Sequence, residues 1–305
     1  MNCPICDQPL DHVAMRAKDR LVTGEGPFDI LECPACRLGV TLPQLSDEEL
    51  GPYYSSSYYE GFMEWNEEES AALLPRLRER WREWRTSLRP GRPPFGSVSA
   101  HPPGRVLDVG CGDGRLLQQF AEQGWDAVGL DPSSTAVAAV RSRGVEAHQG
   151  TLDDAPWPDG SFDAVLFQHS LEHIPGPVHA LEGAARLLAP GGVLAVAVPN
   201  WACWQKRLWR DRWFHLDVPR HQQHFSTLAL RRAAERVGLQ PIDWGTDSNV
   251  ISPAYSLHYV LAGRWTTGWA LWTSYALGAL VYPLVRLVDS RRGGDCCYLV
   301  AQRPA

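Results

Sequence analysis

The sequence predicts an α/β protein built on a mostly parallel sheet, with a small metal-bound module in front of it. From Gly104 onward, short apolar runs alternate with helical stretches. Val106 to Val109, Ala127 to Leu130, Ala164 to Phe167 and Val193 to Val198 read as strands, and a helix runs from a glycine loop through Phe120. Such alternation makes βαβ units, and these build parallel sheets covered by helices. Cys296 to Ala301 reads as the last strand. The second observation is a pair of Cys-x-x-Cys motifs ahead of the strands, in a stretch too short to bury a core of its own.

Those motifs are Cys3-Pro4-Ile5-Cys6 and Cys33-Pro34-Ala35-Cys36. Each supplies two thiolates from one tight turn, and four thiolates suit the tetrahedral preference of zinc. The spacing resembles a zinc ribbon, so Cys3, Cys6, Cys33 and Cys36 are the expected ligands of a structural Zn2+. A closed four-thiolate site leaves no position open for chemistry, and the expected role is stability. The opening Met1-Asn2-Cys3-Pro4 has neither a basic nor an apolar leader, so a reducing, cytoplasmic compartment is expected.

Composition divides the chain. Residues 1–60 hold the cysteine motifs and a tyrosine-rich tail. Residues 61–103 form a connector in which Leu74, Leu77, Trp81, Trp84 and Leu88 recur at helical spacing before a Pro/Gly-rich linker. Residues 104–305 make the α/β domain, with a Trp-rich helical insertion over about 250–292. The net charge of −6 argues against a phosphate backbone as the main partner, since nucleic-acid binders carry a basic surplus.

The strand ending in Asp108-Val109 runs directly into Gly110-Cys111-Gly112-Asp113-Gly114. Glycines there let the backbone approach a ligand at the N-terminus of the following helix. Asp131 ends the next strand, where a carboxylate can hold a ribose diol. Three more runs follow: Trp157-Pro158-Asp159-Gly160-Ser161-Phe162-Asp163, Leu171-Glu172-His173-Ile174 and Leu187-Leu188-Ala189-Pro190-Gly191-Gly192. In this order, over residues 104–200, the motifs resemble those of the class I S-adenosylmethionine-dependent methyltransferases. The resemblance implies a Rossmann-like, seven-stranded, mostly parallel sheet, here with the zinc-ribbon module before it and a hydrophobic helical insertion before the last strand. It also implies S-adenosylmethionine as cofactor. By it, Gly110 and Gly112 contact the methionine part, Asp108 lies near the amino group and Asp131 holds the ribose. The same resemblance adds Cys111, Pro132, Leu152 and Gln168 to the cofactor pocket. The family often has Gly-Asp after the third strand. Gly150-Thr151-Leu152-Asp153 stands here instead, so either Thr151 or Asp153 takes the adenine contact.

Methyl transfer from a sulfonium is an in-line displacement in which the enzyme positions the acceptor and, for a hydroxyl, removes a proton. Histidine suits the second task near neutral pH. The candidate bases are His169, His221 and His224. The last two lie in Asp217-Val218-Pro219-Arg220-His221-Gln222-Gln223-His224-Phe225-Ser226, which is similar to a segment of bacterial methyltransferases of the ubiquinone-biosynthesis and surface-glycan groups. Substrate contact and loop-fixing hydrogen bonds both stay open for these two histidines. Arg220 either grips a carboxylate or phosphate, or pairs with Asp217.

Trp201, Trp204, Trp209 and Trp213, interleaved with Lys206, Arg207, Arg210 and Arg212, follow the fifth strand where substrate lids sit. Trp265, Trp269 and Trp272 have the spacing of one helix face, in an uncharged run between Arg264 and Arg286 that approaches spanning length. A single crossing conflicts with the return of the last strand to the sheet, which leaves a helical hairpin that dips into the bilayer, an interfacial helix, a buried insertion or a subunit contact. The expected function is O-methylation of a small or lipid-linked acceptor, such as a quinone precursor or glycan intermediate, in the cytoplasm or peripherally on the inner membrane face. The alternatives are a ribosomal RNA guanine methyltransferase, whose family also joins an N-terminal zinc site to this fold, and a non-catalytic cofactor-binding scaffold.

Overall fold

The structure is a computed structural model in which residues 1–54, 94–247, 251–266 and 269–305 are described. The connector helix expected around Leu74 to Leu88 lies outside them. Eleven strands form two sheets among the described residues. The larger contains β4 (Arg105–Val109), β5 (Asp126–Asp131), β6 (Glu146–Gln149), β7 (Phe162–Gln168), β8 (Leu188–Pro199), β10 (Gln240–Asp247) and β11 (Cys296–Gln302). Its order is β10-β11-β8-β7-β4-β5-β6. Strands β4 to β8 pair in parallel, while β11 lies antiparallel to both β8 and β10. This is the seven-stranded, mostly parallel sheet that the sequence predicts.

Strand alternation explains why both faces are covered. In β4, Val106 belongs to one apolar cluster and Leu107 to the other, and both are fully buried. The described helices are α1 (Asp47–Leu50), α2 (Pro94–Ser99), α3 (Arg115–Glu122), α4 (Ser134–Ser142), α5 (Pro177–Leu187), α6 (Trp204–Trp209), α7 (Thr227–Arg236), α8 (Ile251–Ala262) and α9 (Trp269–Arg292). Helices α2, α3 and α4 cover one face through Val98, Phe120 and Val140. Helices α5 and α7 cover the other through Leu181, Leu187 and Leu230.

The smaller sheet holds β1 (Val13–Ala17), β2 (Phe28–Glu32), β3 (Gly39–Leu42) and β9 (Gln223–His224), in the order β1-β2-β3-β9. Its fourth strand comes from far along the chain: Gly39 pairs with His224 and Val40 with Gln223. The N-terminal module is therefore completed by the α/β domain. Arg220 closes this seam. It is fully buried, and its guanidinium donates to Asp19 at 2.8 Å, Asp217 at 2.5 Å and the Tyr53 carbonyl at 3.1 Å.

The aromatic segment after β8 packs into the same seam instead of forming an open lid. Trp201 and Trp213 are buried, Trp201 Nε1 donates to Glu32 at 2.7 Å, and Lys206 Nζ lies 3.4 Å from the Trp201 ring centre. The helical reading of the insertion needs one correction. Trp265 does not share a helix with Trp269, because Gly263 at φ +77° ends α8 and α9 starts only at Trp269.

Removing the Arg220 side chain strands the buried Asp19 carboxylate. Arg220→Ala is expected to lower stability by about 3–5 kcal/mol, read as a shift of the denaturant midpoint; an unshifted midpoint would show that the seam carries no stability.

Candidate functional site

The site grows from the carboxyl ends of β4, β5 and β7. After Val109 the chain enters a loop in which Gly110, Gly112 and Gly114 all have positive φ, between +51° and +74°. A Cβ on Gly110 would lie 2.5 Å from Ser170 Cβ, so only glycine lets the loop after β7 close here. Ser170 Oγ fastens that closure by donating to the Val109 carbonyl at 2.5 Å. A Cβ on Gly112 would meet nothing within 4 Å, so this glycine faces open space.

Two carboxylates line the loop. Asp131 accepts from the Gly112 amide at 3.0 Å and the Ser133 amide at 2.9 Å, which fixes it at the tip of β5. Burial raises it above the ordinary range, against the pull of those two amides. Asp108 is 2% exposed, and its Oδ1 has no hydrogen-bond partner among the described residues. Burial, with the nearby Asp131 charge, pushes its carboxyl up to about 7. An orphaned acceptor beside a second acid calls for a cation, and a ribose diol suits the free lone pairs of Asp131.

The far side of the cleft is histidine-rich. His169 follows β7 in a left-handed conformation, φ +53°, with its amide bonded to the Ala197 carbonyl at 2.8 Å. Its side chain is 41% exposed, and Nδ1 lies 3.5 Å from Glu172 Oε1. Burial around the ring pulls its pKa down, but the Cys296 thiol and Glu172 outweigh this and hold it well above the usual histidine value. Glu172 is 1% exposed, and neither of its carboxylate oxygens accepts a hydrogen bond among the described residues.

A family model described as a methyltransferase domain matches residues 74–243, more than half of the 305 residues. The chain belongs to this methyltransferase-domain family. Ubiquinone biosynthesis O-methyltransferase of Xanthomonas oryzae pv. oryzae is 39% identical over 103 residues, covering 32% of this chain and 43% of that protein. The enzyme of the same name from Sodalis glossinidius is 37% identical over 102 residues, covering 31% and 41%. The chain thus spans less than half the length of these curated relatives. A chain of the complex between the Haloferax volcanii Trm112 methyltransferase activator and a methyltransferase superposes with a TM-score of 0.50 at 20% identity, over 70% of this chain and 90% of that one. That likeness shows the fold.

Within the methyltransferase domain, the predicted cofactor residues Asp108, Gly110, Gly112 and Asp131 converge on one loop. Cys111 joins them through its backbone, since its buried side chain turns onto Gly129, where an added Cβ would stand 2.7 Å from Sγ. Gln168 is exposed at the end of β7, and the Pro132 carbonyl accepts from Gln149 at 3.1 Å. Leu152 is buried against Gly183. Thr151 donates to Asp154 at 3.2 Å, while Asp153 receives His179 at 2.7 Å.

His221 and His224 stand in the seam. His224 Nε2 is 2.9 Å from Thr41 Oγ1, and His221 Nδ1 donates to the His215 carbonyl at 2.9 Å. Burial drives both below the usual range: His224 falls to about 3 and His221 well down, with His173 and His224 adding to the effect on His221. Arg220 pairs with Asp217, the second of the two roles read from its sequence context.

Two clusters among the described residues have metal-ligand chemistry. The Cys3, Cys6, Cys33 and Cys36 thiols lie within 4.8 Å of one another, with Cys3–Cys36 at 3.4 Å and Cys6–Cys33 at 3.5 Å. A tetrahedron with Zn–S bonds of about 2.3 Å has S···S edges of about 3.8 Å, so the set fits such an ion. The two knuckles also match locally. Asp7 and Arg37, each directly after the second cysteine, take positive φ and donate to the Cys3 and Cys33 carbonyls at 3.0 Å. The second cluster is Glu172, His173 and His221.

Sequence reasoning missed Ser170, Cys296 and Glu172 as members of the site. Glu172 was visible within a family motif, but nothing in the chain foretold that both of its oxygens would be left without donors.

Replacing Asp131 by alanine is expected to weaken S-adenosylmethionine binding at least about tenfold; unchanged affinity in calorimetry would refute the assignment. A cationic ligand favours ionised Asp108, so affinity should rise as pH climbs through about 7. The rise should vanish in Asp108→Asn.

Proposed function

We propose that the protein transfers the methyl group of S-adenosylmethionine to a hydroxyl of a small or lipid-linked acceptor. When bound, the cofactor supplies an electrophilic methyl on a sulfonium. The chain's own residues do the rest. Asp108 and the glycine loop hold the methionine end, Asp131 holds the ribose, and His169 takes the acceptor proton. The observation that carries this reading is His169 itself. Of the three histidines considered as bases, it alone is exposed; it follows directly from β7 and stands one residue from the Ser170 contact with the glycine loop. The Glu172 carboxylate, 3.5 Å behind the ring, stabilises the imidazolium that forms. The relatives named as O-methyltransferases of ubiquinone biosynthesis support an oxygen acceptor.

His169→Ala is expected to lower turnover about a hundredfold or more while leaving S-adenosylmethionine affinity intact. A base must lose its proton before it acts, and this one holds it above the usual histidine range. The rate should therefore climb into the alkaline side of neutrality and flatten once His169 is deprotonated. Methyl label followed from S-adenosylmethionine into organic, aqueous, RNA and protein fractions of a cell extract tests the acceptor class. Label in the organic or aqueous small-molecule fraction supports the reading, and label in RNA overturns it.

The four-thiol cluster is proposed to hold a structural zinc ion, which orders a module too small to order itself. Metal analysis of protein purified under reducing conditions should return equimolar zinc. Chelation should disorder the first forty or so residues; protein that is metal-free yet fully folded would exclude the ion.

A further inference from the structure

Helices α8 and α9 form a hairpin between β10 and β11, and α9 presents two unlike sides. Ser274, Gly278, Tyr282, Val285 and Asp289 are buried, with Gly278 pressed on Ala254, where an added Cβ would stand only 2.7 Å away. The opposite side carries Leu277, Leu280, Val281, Leu284 and Leu287, exposed by 41 to 76%. Every exposed residue described from Thr273 to Leu287 is uncharged, with Arg286 half-buried between them. With Val260 and Leu261 at the end of α8, the hairpin holds seven of the thirteen large apolar side chains exposed among the described residues. An apolar face of that size in water marks a contact surface.

Charge identifies the occupant. Residues 251–292 contain four arginines and one aspartate, a net +3. Residues 204–212, in α6 and the turn after it, contain Lys206, Arg207, Arg210 and Arg212 against Asp211, again +3. The chain as a whole is −6, which leaves −12 on everything else. The two basic segments adjoin: α6 packs on α8, and Trp204 Nε1 donates to Asp289 of α9 at 2.6 Å. Arg207, Arg210, Arg212, Arg264 and Arg291 are all exposed, and Leu208 stands among them at 57%. The apolar stripe is thus flanked by arginines on a protein that is otherwise acidic.

We propose that this face docks on an anionic lipid surface. Helix α9 lies in the plane of the interface, its leucines reach the acyl boundary, and Arg207 of α6, Arg210 and Arg212 after it, Arg264 after α8 and Arg291 of α9 meet the headgroups. No described helix is long and apolar enough to cross a membrane, so the contact is with the surface. A second copy of the chain fits less well, because a two-fold contact over this face sets the arginines against their own equivalents. The inference stands on the surface alone, whichever acceptor is methylated.

The test is sedimentation of the full chain with vesicles of phosphatidylcholine, alone or mixed with phosphatidylglycerol. The protein should pellet with the mixed vesicles, far less with the neutral ones, and less as salt is raised. Leu280→Glu with Leu284→Glu should weaken partitioning about tenfold or more. Both side chains are more than half exposed, so the fold should persist; unchanged S-adenosylmethionine affinity checks this. Arg207→Glu with Arg291→Glu should reduce binding to the mixed vesicles alone. Absence from both pellets, equal pelleting with both, or leucine variants that bind as the parent does would each overturn the proposal. So would a dimer in sedimentation velocity that the leucine variants dissociate. Absence of methyl transfer by the unaltered protein while it still binds vesicles would count against the catalytic reading and leave this one standing.

Discussion

Arg220 reaches out of the α/β domain into the N-terminal module, and its burial constrains everything around it. An unscreened guanidinium is expensive to remove from water, so its partners must be in place whenever it is. Asp19 supplies one carboxylate from the turn between β1 and β2, a turn that Asp19 itself ties by accepting the Leu21 and Thr23 amides at 2.9 and 2.5 Å. Asp217 supplies the other. With these positions set, β9 falls into register with β3, and Thr41 Oγ1 reaches the His221 carbonyl at 2.8 Å. Module and domain share one seam.

The seam continues to the reaction cleft. The Gln222 amide donates to the Glu172 carbonyl at 2.9 Å, and the Tyr54 hydroxyl lies 2.9 Å from His173 Nδ1. Glu172 in turn sits beside His169. A continuous set of contacts therefore runs from the cysteine knuckles through β3 and β9 to the exposed imidazole. The ordering of the small module and the placement of the cleft's histidine are consequently one structural problem, although the two lie far apart in the chain.

What could be read from the sequence follows from range. The glycine loop, Asp108 and Asp131 are local motifs whose chemistry does not depend on distant residues, and the strands around them alternate strongly enough to be seen directly. The cysteine knuckles were equally plain, because each is a four-residue unit. The seam was hidden, since Asp19 and Arg220 are 201 positions apart and neither sits in a pattern of its own. For the same reason, the Pro-Arg-His segment was legible as a motif but ambiguous in role. Its histidines have the residue types of a substrate site, and only the partner strand shows that they are walled in. The tryptophans misled through spacing: the i, i+4, i+7 pattern of Trp265, Trp269 and Trp272 overlooked Gly263 and the helix end it imposes.

Strand β11 adds a constraint of another kind. It lies between β8 and β10, yet residues 296–302 are synthesised after both of them. Until then, β8 and β10 each present an open edge, and the Trp-rich hairpin emerges before the strand that anchors its far end. The sheet is therefore closed by a late insertion into its interior, with contacts of long sequence separation on one side. During synthesis the nascent domain passes through a stage with unpaired edges and a bare apolar helix, the combination that most needs a chaperone or a surface to shelter it.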